Sequence, residues 1–424
     1  MSATTKVPLS SVVIKTTGGG TPERDNPEFW NGGIPWASVK DFKDGIYRLS
    51  KTKEEISEKG LKRSASHLIP VGTPIICTRM AVGRIARASV PVAINQDLRA
   101  LHIRDEFDTD YVVWAVDSIR HRIENLAIGS TVKGISIDQL LSFEIEAPSK
   151  SEQTKIAEIL STVDRAIEQT EALIAKQQRL KTGLMQDLLT RGIDEHGNLR
   201  SEQTHKFKDS PLGRIPVEWE CVDVSTVIEL KHGYQFRDYD FVEHGIPVIK
   251  IGNVTSHGLD LSDLTYVHAS RQQEFEKYII SNGDVLMSLT GNIGRVVEVQ
   301  NLPCPVLQNY RVGKFVSQSD DLLHAFMKTV LSSSSLFSQL DTLSNQSAQA
   351  NFGKQDLGRL MMPLPKSITE QKKISELLTL ASKSITAMDG ALIKLRSLKT
   401  ALMQDLLTGR KRVTELLNNL EVPI

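Results

Sequence analysis

The chain has 424 residues, 40% hydrophobic and 24% charged, and its 51 basic and 51 acidic residues cancel to zero net charge. Its length exceeds one ordinary domain. The composition is that of a soluble globular protein without an apolar run long enough to span a membrane, and MSATTKVPLSSVV at the start lacks a signal-peptide core. Neutrality excludes a uniformly basic nucleic-acid binder but leaves room for local basic patches, and Cys77, Cys221 and Cys304 are spaced for neither zinc nor a disulfide framework, which makes a reducing cytoplasm the expected location.

In chain order, residues 1–148 read as one mixed α/β module. It opens through the turn-type run Gly18-Gly19-Gly20 and the stretch GIPWASVKDF (33–42), followed by the basic-flecked KEEISEKGLKRSASH (53–67). VGTPIICTRM (71–80) and VPVAINQ (90–96) are strand-like, with glycine supplying the turns. A helical stretch over 110–127 precedes a short helix and strand over 135–148 that ends at Pro148. Residues 149–192 hold a first long helix, free of proline from Glu152 to Thr190. A polar linker is expected over 193–209 and a second mixed α/β module over 210–365. That module has strand-like stretches at 282–291 and 304–310, a helical stretch at 321–340, and a close ending at Pro365. A second long helix follows within 366–412, and a tail over 413–424.

The second half repeats the first. LKTGLMQDLLT (180–190) returns as LKTALMQDLLT (398–408), and Glu152-Gln153 returns as Glu370-Gln371, both 218 positions later. Gly83-Arg84 answers Gly294-Arg295 at an offset of 211, and Gln96 and Arg99 align with Gln308 and Arg311 at 212. The helices carry matching apolar seams that step by four and three. In the first the seam is Ile156, Leu160, Val163, Ile167, Ile174, Leu184 and Leu188; in the second, Ile374, Leu378, Ile385, Leu392, Leu395, Leu402 and Leu406. Lys181 and Lys399 occupy equivalent seam positions. Two such helices with little else in sequence to cover them are expected to pair antiparallel. The fold class expected is α/β (α+β), with two pseudo-two-fold-related modules separated by an antiparallel two-helix coiled coil.

No catalytic signature is present. There is no phosphate loop, no dinucleotide fingerprint, no Pro-Asp nuclease pair and no paired histidine spacing, so no metal site is expected. NPEF (26–29) lacks both the second proline and the apolar strand of an adenine methyltransferase motif. What remains are side chains of the kinds that hold phosphates and read base edges, set in matched loops. In the first module the DNA-binding candidates are Lys62, Arg63, Ser66, Arg79, Arg84, Gln96 and Arg99. In the second they are Lys231, Tyr234, Gln235, Arg237, Asn292, Arg295, Gln308, Asn309 and Arg311.

The order module–helix–module–helix resembles the specificity subunits of Type I restriction-modification systems. So do the Glu-Gln pattern at each helix start, LMQDLLT at each helix end, and PLGRIPVEWE (211–220). The resemblance covers residues 7 to about 412. It implies that each module is a target recognition domain binding one half of a split site in double-stranded DNA, and that the helices set the spacing. The implied partners are two modification (methyltransferase) subunits and two restriction (motor-nuclease) subunits. S-adenosylmethionine would belong to the former, ATP and magnesium to the latter, and none of these to this chain, which would be a non-catalytic subunit in the prokaryotic cytoplasm. The alternative from a different class is a non-catalytic protein-binding scaffold of two α/β modules on a coiled coil.

Overall fold

A computed structural model describes residues 5–128, 133–255, 258–345 and 352–418. The chain divides into two compact units, one formed by residues 1–171 with 390–424 and the other by 172–389. Each unit therefore takes one module, the near part of the helix leaving it, and the far part of the other helix.

In the first unit a five-stranded sheet runs in the order Val13–Gly18, Leu98–Ile103, Pro74–Cys77, Ile85–Ala88, Arg48–Leu49. A four-stranded sheet runs Glu54–Ile56, Trp30–Ala37, Val92–Ile94, Leu68–Ile69, with its central pair parallel. The second unit repeats both. Ile228–His232, Val312–Ser317, Val285–Ser288 and Val296–Glu298 form one sheet; Ile246–Ile249 and Val306–Gln308 are the parallel pair inside the other. The helical stretch expected at 110–127 is two helices, Thr109–Ser118 and Arg120–Leu126, broken at Ile119 with φ −102° and ψ 8°. The pairings Thr5–Pro8 with Glu144–Ala147, and Trp219–Asp223 with Met361–Pro365, bring the two ends of each module together beside a helix start.

The long helices span Lys150–Thr190 and Ile368–Leu406. All fourteen seam positions are buried or half-buried. Within the first unit Ile156 and Leu160 share a core with Leu406, Leu407 and Val413. Within the second, Leu188, Leu189 and Ile193 share one with Ile374 and Leu378. In each unit the start of one helix thus packs with the end of the other, which is the antiparallel sense. The stretch after the first helix belongs to this packing, since Ile193 and Arg200 are buried. No helix among the described residues is long and apolar enough to cross a membrane.

Candidate functional site

Each module carries the same turn beyond its parallel strand pair. In the first, Asn95 N donates to Ala37 O (3.0 Å), Leu98 N returns to Asn95 O (3.3 Å), and the Asn95 side-chain oxygen accepts from Asp97 N at 3.1 Å. In the second, Asn309 N donates to Ile249 O (3.1 Å), Val312 N to Asn309 O (2.9 Å), and Arg311 N to the Asn309 side chain at 3.2 Å. Such an asparagine ring pre-forms the turn with its own side chain.

A second strand of chain closes onto each turn, with Gly20 N donating to Ile94 O (3.0 Å) and Tyr234 N to Gln308 O (2.9 Å). The residue before each must be glycine. A Cβ at Gly19 would stand 1.9 Å from Ile94 O, and one at Gly233 would stand 2.1 Å from Gln308 O.

These bonds correct the sequence alignment of the turns. The counterpart of Gln96 is Tyr310 and that of Asp97 is Arg311, while Gln308 corresponds to Ile94 and Arg99 to Gly313. The loop before the turn is longer in the second module, 299–305 against 89–91, so a search for matching letters settled two residues out of register.

The structure sorts the candidates. Ser66 and Gln308 are buried and spend their polar atoms on backbone: Ser66 donates to Ile94 O, and Gln308 Nε2 donates to Lys231 O (2.9 Å) and Val312 O (2.7 Å). Asn309 holds its own turn. Arg84 is tied to both oxygens of Asp44 and to Phe42 O, with Arg120 on the same carboxylate. Arg99 lies along Gly18 and donates to Leu98 O. Tyr234 sits in an aromatic cluster, 4.9 Å from Phe236 and 4.8 Å from Phe275. Asn292 and Arg295 line a separate groove of about 360 Å³ with Phe337 and Asp341.

Lys62, Arg63, Arg79, Lys231, Gln235 and Arg237 are exposed. Lys62 reaches Glu58, Arg79 lies 3.9 Å from Asp97, and Lys231 lies 3.6 Å from Glu229. Gln96 is exposed beside Thr21, and Arg311 is exposed beside Tyr310. Sequence reading missed Thr21, Tyr310 and Tyr239, a tyrosine 85% exposed on the loop that carries Gln235 and Arg237. The signal that could have located this surface was the pair Gly19 and Gly233.

The helix starts are built alike. Gln153 Oε1 accepts from Asp108 N (2.9 Å) and its amide donates to Pro148 O; Gln371 does the same with Leu323 N (2.8 Å) and Pro365 O. Glu152 is gripped by Arg412 through Nε and Nη2, and Glu370 by Arg200 through Nη1 and Nη2. Glu370 also accepts from Ile193 N and Trp219 Nε1. Each arginine follows the end of one helix and reaches the glutamate that starts the other. The Arg412 hydrogen bonds hold the Glu152 carboxyl below the usual glutamate range.

Lys399 pairs with Asp164 and lies 4.4 Å from the Tyr47 ring and 4.9 Å from Trp114. The Tyr47 hydroxyl donates to Asp117 at 2.7 Å, and burial raises its pKa. Lys181, its repeat counterpart, has no ion pair among the described residues; burial, followed by the charge of Lys328, lowers its pKa.

The family model described as Type I restriction modification DNA specificity domain matches residues 2–177 and again 216–395. The Type I restriction enzyme MjaVIII specificity subunit of Methanocaldococcus jannaschii is 26% identical over 279 residues, 65% of this chain and 64% of that protein. The MjaIX specificity subunit of the same organism is 23% identical over 294 residues, 68% of this chain and 67% of that one. The matched part thus takes in slightly less than two thirds of the first relative. A crystal structure of a Type-I restriction-modification system S subunit from M. genitalium shares the fold, with TM-score 0.63 and 17% identity over 95% of this chain and 96% of that one.

Proposed function

Because the chain belongs to the Type I restriction modification DNA specificity family, we propose that it is the sequence-specificity subunit of a Type I restriction-modification complex. Each module reads one half of a bipartite site in double-stranded DNA, and the helices set the gap between the halves. The observation that carries this reading is the duplicated turn. One backbone frame is built twice, with an exposed hydrogen-bonding or basic side chain in each copy.

Two modification subunits dock on the helices and methylate adenine with S-adenosylmethionine, and two restriction subunits add ATP- and magnesium-dependent motor and nuclease activity. This chain contributes recognition and no chemistry of its own. Docking is supported by apolar side chains left exposed along the helices: Leu173, Leu180, Leu377 and Leu380 in the second unit, Ile393 and Leu398 in the first. A chain of zero net charge gains little from neutralising phosphates, so tight binding requires the basic surface of the modification subunits.

The test is to express the chain with its modification subunits and map methylated adenines across a genome. The expected result is a two-part motif with a fixed gap that vanishes when this chain is omitted. Methylation independent of the chain, or co-purification with proteins other than a methyltransferase, would favour a protein scaffold instead.

A further inference from the structure

We propose that the residue pair following the turn asparagine, Gln96-Asp97 in the first module and Tyr310-Arg311 in the second, determines which base each module accepts. The inference rests on the DNA-reading function above and names the side chains that perform it.

The two modules share a backbone frame and differ in the side chains it carries. The backbone around the turn is held by the same four hydrogen bonds in both units, and the glycine packed against it is the same. The side chains presented on that frame differ in size and in charge. Where the first module has the neutral Gln96 and the anionic Asp97, the second has the aromatic Tyr310 and the cationic Arg311. A shared frame whose side chains diverge, with Gln96 and Arg311 exposed and Asp97 and Tyr310 half-buried behind them, is the arrangement expected of a reading head that serves two different half-sites.

Both groups are pre-positioned, each with unspent capacity. Thr21 donates its hydroxyl to Gln96 Oε1 at 2.6 Å, which fixes the carboxamide; among the described residues its amide nitrogen has no protein partner. Arg311 Nε donates to the Tyr310 hydroxyl at 2.9 Å, and the guanidinium lies 5.4 Å from that ring. The terminal guanidinium nitrogens remain without a protein partner among the described residues. An oriented guanidinium fork matches O6 and N7 of guanine, whereas a carboxamide matches N6 and N7 of adenine.

Three carboxylates of these modules, those of Asp97, Asp240 and Glu54, are held by partners of their own. Asp97 accepts from the Asn95 amide, with Arg79 3.9 Å away, and Asp240 is paired with Arg271. The carboxylate of Glu54 is held by Arg24, which also stacks on Trp30 at 4.1 Å and stiffens the loop bearing Thr21. The geometry therefore assigns a guanine to the half-site of the second module and an adenine to that of the first.

The experiment is selection of bound duplexes from a randomised library by the full chain assembled with its modification subunits. Wild type is compared with Arg311→Ala, Arg311→Lys and Gln96→Ala. Arg311→Ala is expected to lower discrimination at one guanine of one half-site by roughly tenfold or more, with the other half-site unchanged. Arg311→Lys is expected to recover part of that discrimination. Gln96→Ala is expected to relax one position of the opposite half-site only. The salt dependence of binding separates a base contact from a phosphate contact, since loss of a phosphate contact weakens all sequences together and reduces the slope.

Uniform weakening across sequences, or an unchanged preference in both alanine variants, would overturn the inference. If wild type itself selected no two-part site, the functional reading would fall instead. Thermal unfolding of each variant guards against misfolding, and a destabilised Arg311→Ala would itself count against an exposed reading side chain.

Discussion

The two helix starts, one in each unit, are anchored by the same kind of contact with different chemistry. In the second unit Glu370 and Arg200 are both nearly enclosed, their side chains 8% and 10% exposed, and Trp219 and the Ile193 backbone satisfy the remaining acceptor capacity. In the first unit Glu152 is as deeply placed, but its Arg412 is 35% exposed, so solvent screens the pair. The seam lysines show the reverse. Lys399 is caged between an aspartate and two aromatic rings, whereas Lys181 faces Lys328 without a carboxylate. The ion pair with both partners enclosed thus lies at the helix start in the second unit and along the helix flank in the first. Repetition preserves the framework while the anchoring side chains drift.

This contrast can be broken, first, at Glu370. Glu370→Ala strands a buried guanidinium and an indole N–H and is expected to cost about 3–5 kcal/mol. Glu152→Ala, with a partner that water can reach, is expected to cost about 1–2 kcal/mol. Denaturant unfolding of the purified variants checks both, and equal losses would erase the distinction.

Next comes Gly192, which ends the first helix at φ 63°. A Cβ there would meet Glu370, Trp219 and Arg200 at 2.3, 2.4 and 2.6 Å. Gly192→Ala is expected to cost about 2–3 kcal/mol through backbone strain together with displacement of the clamp, read as a lowered Tm. The lysines sharpen the comparison further. Lys399→Met leaves Asp164 buried without its cation and is expected to lose about 1–3 kcal/mol, while Lys181→Met is expected to be neutral or slightly stabilising. A double-mutant cycle of Lys399 with Asp164 isolates the pair.

The smallest effect is one of pH. The Glu152 carboxyl titrates below its ordinary range in the folded chain. Its contribution is therefore complete above the unfolded glutamate pKa and is lost as pH falls through the lower folded value. Glu152→Gln should flatten the acid limb of the stability profile; an unchanged limb would show that the pair contributes nothing there.

The duplicated plan was legible because the seam periodicity and the Glu-Gln pairs survive as letters. Ile156 and Ile374 reveal themselves by spacing alone. The turn pair was not legible in detail: the Gln and Arg letters at 96 and 99 match those at 308 and 311, yet the hydrogen-bond ladder places them elsewhere. The Glu–Arg clamps were hidden for another reason. Arg200 and Arg412 follow their helices through unlike sequences, and no periodicity links either to a glutamate 170 or 260 positions away. Among the sixteen nominated side chains, hydrogen-bonding type could not separate Gln308, which serves the interior, from Gln96, which faces solvent, because that choice depends on strand register.

The return of Arg412 to Glu152 bears on how the chain comes into being. The second unit is one continuous stretch, whereas the first needs Lys399, Leu406, Leu407, Arg412 and Val413 from the far end of the polypeptide. On the ribosome the module translated first must therefore wait, its helix start uncovered, until residues 399–413 have been made, while the later module can close ahead of it. A stop codon ahead of residue 399 would injure the first module, although it lies more than two hundred residues downstream of it.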